Sequence, residues 1–170
     1  EQLQEASRGQ IMELVKCDLE GLIRYTTQEG KVLYHDFKST INTILQRQEE
    51  VTPLITARVE RTKDRIKNIL NEWSEADKID TNRFEQEMIY YLEKMDVTEE
   101  LVRLTGNCNY FLEILEDGAM QGKKLGFISQ EIGREVNTLG SKANDAELQR
   151  RVVQMKDELE KIKEKVHNAQ

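Results

Sequence analysis

Apolar residues recur three and four positions apart along most of the chain, the spacing of helices that bury one face. From Gln2 to about Gln28 they fall at Ile11, Leu14, Val15, Leu19, Leu22 and Ile23. Glu29-Gly30 offers a place to end or kink that helix, and a second helical run covers Lys31 to Arg47. Thr52-Pro53 reads either as N-cap and first residue of a new helix to about Trp73, or as a kink in one long helix from 31 to 73. The polar run "SEADKIDTN", Ser74 to Asn82, reads as a linker that ends on Asp80 or Thr81 as N-cap. A helix then starts near Asn82 with Phe84, Met88, Tyr91, Leu92 and Met95 on one side. "DVTEE" restarts it, with Asp96 or Thr98 as cap and two glutamates at the positive end of the dipole. The restarted helix carries Leu101, Leu104, Cys108, Phe111 and Leu115 and stops near Asp117-Gly118. The next, from about Ala119 to Leu139, aligns Leu125, Ile128, Ile132, Val136 and Leu139, with Gly140 placed as C-cap. The last, from about Asn144 to His167, alternates four and three through Leu148, Val152, Met155, Leu159, Ile162 and Val166, a heptad seam.

The expected fold class is therefore all-α: an elongated bundle or array of long antiparallel helices with a coiled-coil-like C-terminal helix. The expected division is a helical arm over 1–73, a linker over 74–81 and a C-terminal helical domain over 82–170. Composition agrees. The 170 residues are 34% charged and 6% aromatic, and one Pro and nine Gly leave little material for a turn-rich β fold. The net charge of −7 argues against a uniformly basic nucleic-acid binder but does not describe a local face. Cys17 and Cys108 lack zinc or CxxC spacing and read as two reduced thiols of a cytoplasmic protein. No apolar run approaches membrane-spanning length, so no membrane partner is expected. The chain starts at Glu1 rather than Met, as a piece of a longer protein would.

The chemistry concentrates in "GREVNTLGSKANDAE", Gly133 to Glu147, and in "DVTEELVRLTGN", Asp96 to Asn107. Glu131 and Glu135 stand four apart on one helix face, with Thr138 and Lys142 along the same line and Gln130, Arg134 and Asn137 beside them. Glu100, Arg103 and Asn107 share a face of the preceding helix, and Glu99 is placed to pair with Arg103. Carboxylates of this kind suit a divalent metal or proton transfer, and the cations suit phosphate. The plain alternative is a solvated charged face. Lys123-Lys124 near a helix start is a weaker anion site. His35 and His167 have no ligand-spaced companions, and Trp73 and Tyr90-Tyr91 read as packing residues rather than stacking ones. No P-loop or GxSxG is present.

"NRFEQEM…MDVTEELVRL", Asn82 to Leu104, followed by "GKKLGFISQEIGREVNTLGSKANDAE", Gly122 to Glu147, resembles the C-terminal region of the YicC/YloC family of bacterial cytosolic endoribonucleases. The closing "VVQMKDELEKIKEKVHN" and the upstream Glu29-Gly30 followed by Leu33 fit the same pattern. The resemblance implies a further N-terminal α/β domain in family members, ring-like homo-oligomers, of six subunits in the full-length protein, and RNA cleavage assisted by Mn²⁺ or Mg²⁺. It carries over Glu99, Glu100, Arg103, Gln130, Glu131, Arg134, Glu135, Asn137, Thr138, Ser141, Lys142 and Glu147. Within that set Glu100, Glu131 and Glu135 are the expected catalytic and metal-holding carboxylates. Arg103, Arg134 and Lys142 are the expected RNA-phosphate contacts, with Asn137 and Ser141 orienting substrate. Four positions depart from the family pattern: Asn107 stands where His is usual, a lost ligand or proton-transfer position, Gly126 replaces an Asp, Lys94 an Arg and Thr26 an Arg.

Three functions follow as expectations. The first is the C-terminal domain of a metal-dependent endoribonuclease acting on single-stranded RNA, with Glu99/Glu100 meeting Glu131/Glu135. The second is a non-catalytic oligomerisation module whose heptad seam binds other protomers. The third is an RNA-binding element without catalysis.

Overall fold

The computed structural model describes residues 2–74, 81–117 and 121–168, with side chains described over 12–69, 82–117 and 121–168. The described residues form α1 (Gln2–Ser74), α2 (Thr81–Met95), α3 (Thr98–Glu116), α4 (Gly122–Lys142) and α5 (Ala146–Asn168), with no strand among them. The fold class is all-α, as the periodicity requires. α1 is helical across Gly30 and Pro53, so neither ends it, and Pro53 lies inside one long helix, as in the second of the two readings of Thr52-Pro53. Pro53 removes one main-chain donor but not the helix, since Val51 just before it is fully buried and tertiary packing outweighs the lost bond. Most of the predicted linker, and its Asp80 cap, lies outside the described residues, as do the side chains of Thr81 and Trp73.

The chain divides into two compact units, Glu1–Phe37 and Lys38–Gln170. The first is helix in which Leu14, Leu19, Leu22 and Ile23 are exposed and Phe37 is buried. The second holds the core that concerns function. Leu104, Cys108, Phe111 and Ile114 of α3 are buried, as are Leu125, Ile128, Ile132, Val136 and Leu139 of α4. All six heptad residues of α5, from Leu148 to Val166, are buried too. That seam packs inside the chain rather than presenting a face to another protomer, which corrects the oligomerisation reading of it.

Two glycines explain how. A Cβ on Gly140 would lie 2.9 Å from Val152 Cγ1, and one on Gly133 would lie 3.0 Å from Leu159 Cδ2. Gly133 and Gly140 are two helical turns apart, as are Val152 and Leu159, so α5 runs antiparallel to α4 with its large residues against the glycines. Gly140 is therefore a packing residue inside α4, not the predicted C-cap. The helix continues to Lys142, and Ala143 caps it. The carbonyls freed at that end have definite partners. Gln149 Nε2 donates to Gly140 O and, at 2.8 Å, to Ala143 O, and Arg58 of α1 donates to Lys142 O at 2.8 Å. Asp145 starts α5 by accepting from the main-chain N–H groups of Glu147 and Leu148, bonds that hold its carboxyl below the usual range.

Candidate functional site

Helices α3 and α4 lie side by side and antiparallel: Glu100 meets Lys142 at one end, and Tyr110 meets Lys124 at the other. The N-terminus of α3 is set by Asp96, whose carboxylate accepts from the Thr98 main-chain N–H at 2.9 Å and from its hydroxyl at 2.6 Å. Those bonds keep the Asp96 carboxyl below its ordinary range. The N-cap position itself is taken by Val97, which makes no side-chain cap bond, so neither Asp96 nor Thr98 is the N-cap that the sequence suggested. With this turn fixed, Glu100 projects toward the end of α4.

Lys142 Nζ donates to Glu100 Oε1 and to the main-chain carbonyl of Asp96, both at 2.8 Å. The Glu100 side chain is only 12% exposed, and its Oε2 is buried with no hydrogen-bond partner among the described residues. Glu135, two turns before Lys142 on α4, is 6% exposed. Burial pushes its carboxyl pKa up; the Arg103 guanidinium opposes this, while Glu100 and Glu131 add to it and Arg134 subtracts. These five charged groups therefore share one electrostatic neighbourhood, drawn from helices that the sequence separates by a turn.

The remaining expected residues fall into place unevenly. Glu99 is 70% exposed and paired with Arg103, so it does not join Glu100 in meeting the α4 carboxylates. Arg134 lies 3.6 Å from Glu131 and is exposed. Asn137, Gln130 and Glu147 are exposed. The Ser141 hydroxyl donates to Thr138 O, and the Thr138 hydroxyl to Arg134 O, so both bond to their own helix. Asn107 is half-buried on α3, one turn beyond Arg103. Tyr90 and Tyr91 are exposed, contrary to their reading as packing residues, and Lys94 lies 4.7 Å from the Tyr90 ring centre. Among the described residues no group of three or more His, Cys, Asp and Glu side chains is arranged to enclose a metal ion.

Sequence reasoning missed Arg58, which holds the last turn of α4 through the Lys142 carbonyl, and the Asp96 carbonyl, which fixes Lys142. No periodic signal links Arg58 to a residue 84 positions away.

A family-level comparison matches residues 48–170 to the endoribonuclease YicC-like C-terminal domain. The chain belongs to the YicC-like family. Two curated relatives agree. It is 32% identical over 143 residues to the probable endoribonuclease YicC of Clostridioides difficile, covering 84% of this chain and 49% of the relative. It is 32% identical over 142 residues to the Haemophilus influenzae protein of the same name, covering 83% of this chain and 48% of the relative. The chain thus spans about half the length of the curated relatives it matches. Every residue of the α3/α4 cluster lies inside the matched YicC-like region. No described helix is long and apolar enough to cross a membrane.

Proposed function

We propose that this chain is the C-terminal helical part of a metal-assisted endoribonuclease that cuts single-stranded RNA, in the cytoplasm, within a homo-oligomer of the full-length protein. The observation that carries the reading is Glu135, a buried carboxylate with a raised pKa among Arg103, Arg134, Glu100 and Glu131 in a YicC-like domain. A carboxylate whose pKa is raised is a stronger base, suited to taking a proton from an attacking hydroxyl and returning it to the leaving oxygen. Arg103 and Arg134 are exposed and held only by intrahelical pairs worth a few tenths of a kcal/mol, so RNA phosphate can take them over. Lys142 serves a different purpose from the expected phosphate contact: its ammonium holds Glu100 Oε1 and leaves Oε2 free.

The donor chemistry fits a hard divalent cation held in a limited way. Glu100 Oε2 would supply one carboxylate ligand, with water and RNA phosphate as the others, in the manner of Mg²⁺ rather than of a closed protein cage. When bound, such an ion lowers the pKa of its water and offsets charge on the phosphate.

The test is cleavage of labelled single-stranded RNA by the chain, and by the chain joined to the N-terminal half of the Clostridioides difficile relative, with Mn²⁺, Mg²⁺ or chelator. Each is run with Asn107 and with Asn107→His. Metal-dependent cleavage by the joined protein supports the reading. Salt-sensitive RNA binding without cleavage in any arm leaves a binding element instead.

A further inference from the structure

We infer that Tyr110 and Phe127 form a stacking platform for bases of single-stranded RNA, at the opposite end of the α3/α4 pair from Glu100 and Lys142. The inference rests on the proposed RNA function and adds a nucleobase subsite to it.

Tyr110 on α3 is 43% exposed and Phe127 on α4 is 63% exposed, outside the apolar stripe that each helix buries; Val102 of α3 is exposed as well. Lys124 of α4 reaches across the helix pair to within 5.4 Å of the Tyr110 ring centre, and Phe127 follows Lys124 by one turn. A ring beside a cation is suited to a base carrying its phosphate: the ring takes the π face and the ammonium the charge.

The register is the second observation. Tyr110 lies seven residues after Arg103, and Phe127 seven residues before Arg134. Seven residues are two turns, so each aromatic residue shares a helix face with its arginine at roughly 10 Å. Because the helices are antiparallel, both aromatics fall at one end and both arginines toward the carboxylates. The exposed strip therefore reads aromatic–lysine, then arginines above the buried carboxylates. That order grips a single strand by its bases on one side of the cut and by its phosphates at it. A duplex keeps its bases stacked and has none to offer, so the platform selects unpaired RNA.

The test is equilibrium binding, in chelator, of a labelled oligouridylate and of an abasic ribose-phosphate oligomer of equal length. Tyr110→Ala and Phe127→Ala are each expected to weaken oligouridylate binding about 5- to 100-fold. Neither should change abasic binding, and Tyr110→Phe should bind as the parent does. Val102→Ala, at another exposed apolar site on α3, is the control and is expected to be silent. Unchanged oligouridylate affinity in both alanine variants overturns the platform while leaving RNA binding intact. Equal losses on both oligomers, or a change in self-association on sedimentation, would make these residues part of a protein face instead. If the parent chain binds neither oligomer, the RNA function and the platform fall together.

Discussion

In the proposed function, Glu135 places catalysis and stability in opposition. Its folded pKa is raised by burial, so folding is penalised once the unfolded carboxyl ionises. Below the ordinary value of 4.5 both states are protonated and no penalty exists; it grows as pH rises from there toward the folded pKa. Glu135→Gln is therefore expected to raise the melting temperature at neutral pH, with the gain vanishing near pH 4. If the proposed function holds, the same variant should lower any RNA cleavage by the chain joined to the relative's N-terminal half by about 10²-fold or more. A fall in stability at neutral pH would show that the carboxylate is better satisfied than its surroundings indicate. Lys142 has the reverse character. Lys142→Met leaves Glu100 with neither oxygen bonded, at a cost of about 1–2 kcal/mol in chemical denaturation. The double variant with Glu100→Gln should recover much of that loss, and an additive result would deny the pairing.

Glycines in these helices are not equivalent, and the contact each would make decides its value. A Cβ on Gly106 of α3 meets nothing within 4 Å. Gly106→Ala should therefore express the helix propensity difference and stabilise by up to about 1 kcal/mol. A Cβ on Gly140 meets Val152 Cγ1 at 2.9 Å, in a buried seam where neither helix can retreat freely. Overpacking there costs about 1–3 kcal/mol, more than propensity returns, so Gly140→Ala should destabilise. Thermal melts of the two variants, moving in opposite directions, would confirm that the α4–α5 approach depends on glycine. A stabilised Gly140→Ala would show that the seam can open. Because α4 carries Glu135 and Lys142, that variant should also disturb the carboxylate cluster.

The two cysteines provide a probe at the scale of the whole molecule. Cys17 is exposed in the first compact unit, whereas Cys108 is fully buried in the second, where burial pushes its thiol up to about 12. A thiol reagent should modify Cys17 at once. Cys108 should react only when the Lys38–Gln170 unit opens, because neither access nor thiolate is available before that. Biphasic labelling, with the slow phase accelerating through the denaturant transition, is the expected result. Rapid modification of both thiols would mean that the α3 core opens locally.

The sequence alone determined the helices of the Lys38–Gln170 unit, since a buried stripe on a helix must repeat every three or four residues. The α4 and α5 stripes were legible residue by residue for that reason, and so were the family and the two polar runs that carry the candidate site. Glu29-Gly30 did not end α1, and of the two readings at Thr52-Pro53 the single long helix is the observed one, because beside the buried Val51 the local cost of a proline does not end a packed helix. What only tertiary structure decided is which polar groups meet. Spacing placed Glu99 and Glu100 equally; packing buried Glu100 against Lys142 and left Glu99 in water. It turned Gly140 from a terminator into a contact and sent the α5 seam inward. It also brought Arg58 to the end of α4 and Lys124 to Tyr110. Periodicity specifies the face a residue occupies, but its partner depends on helix order and direction, which are set by how apolar faces and small residues fit in three dimensions.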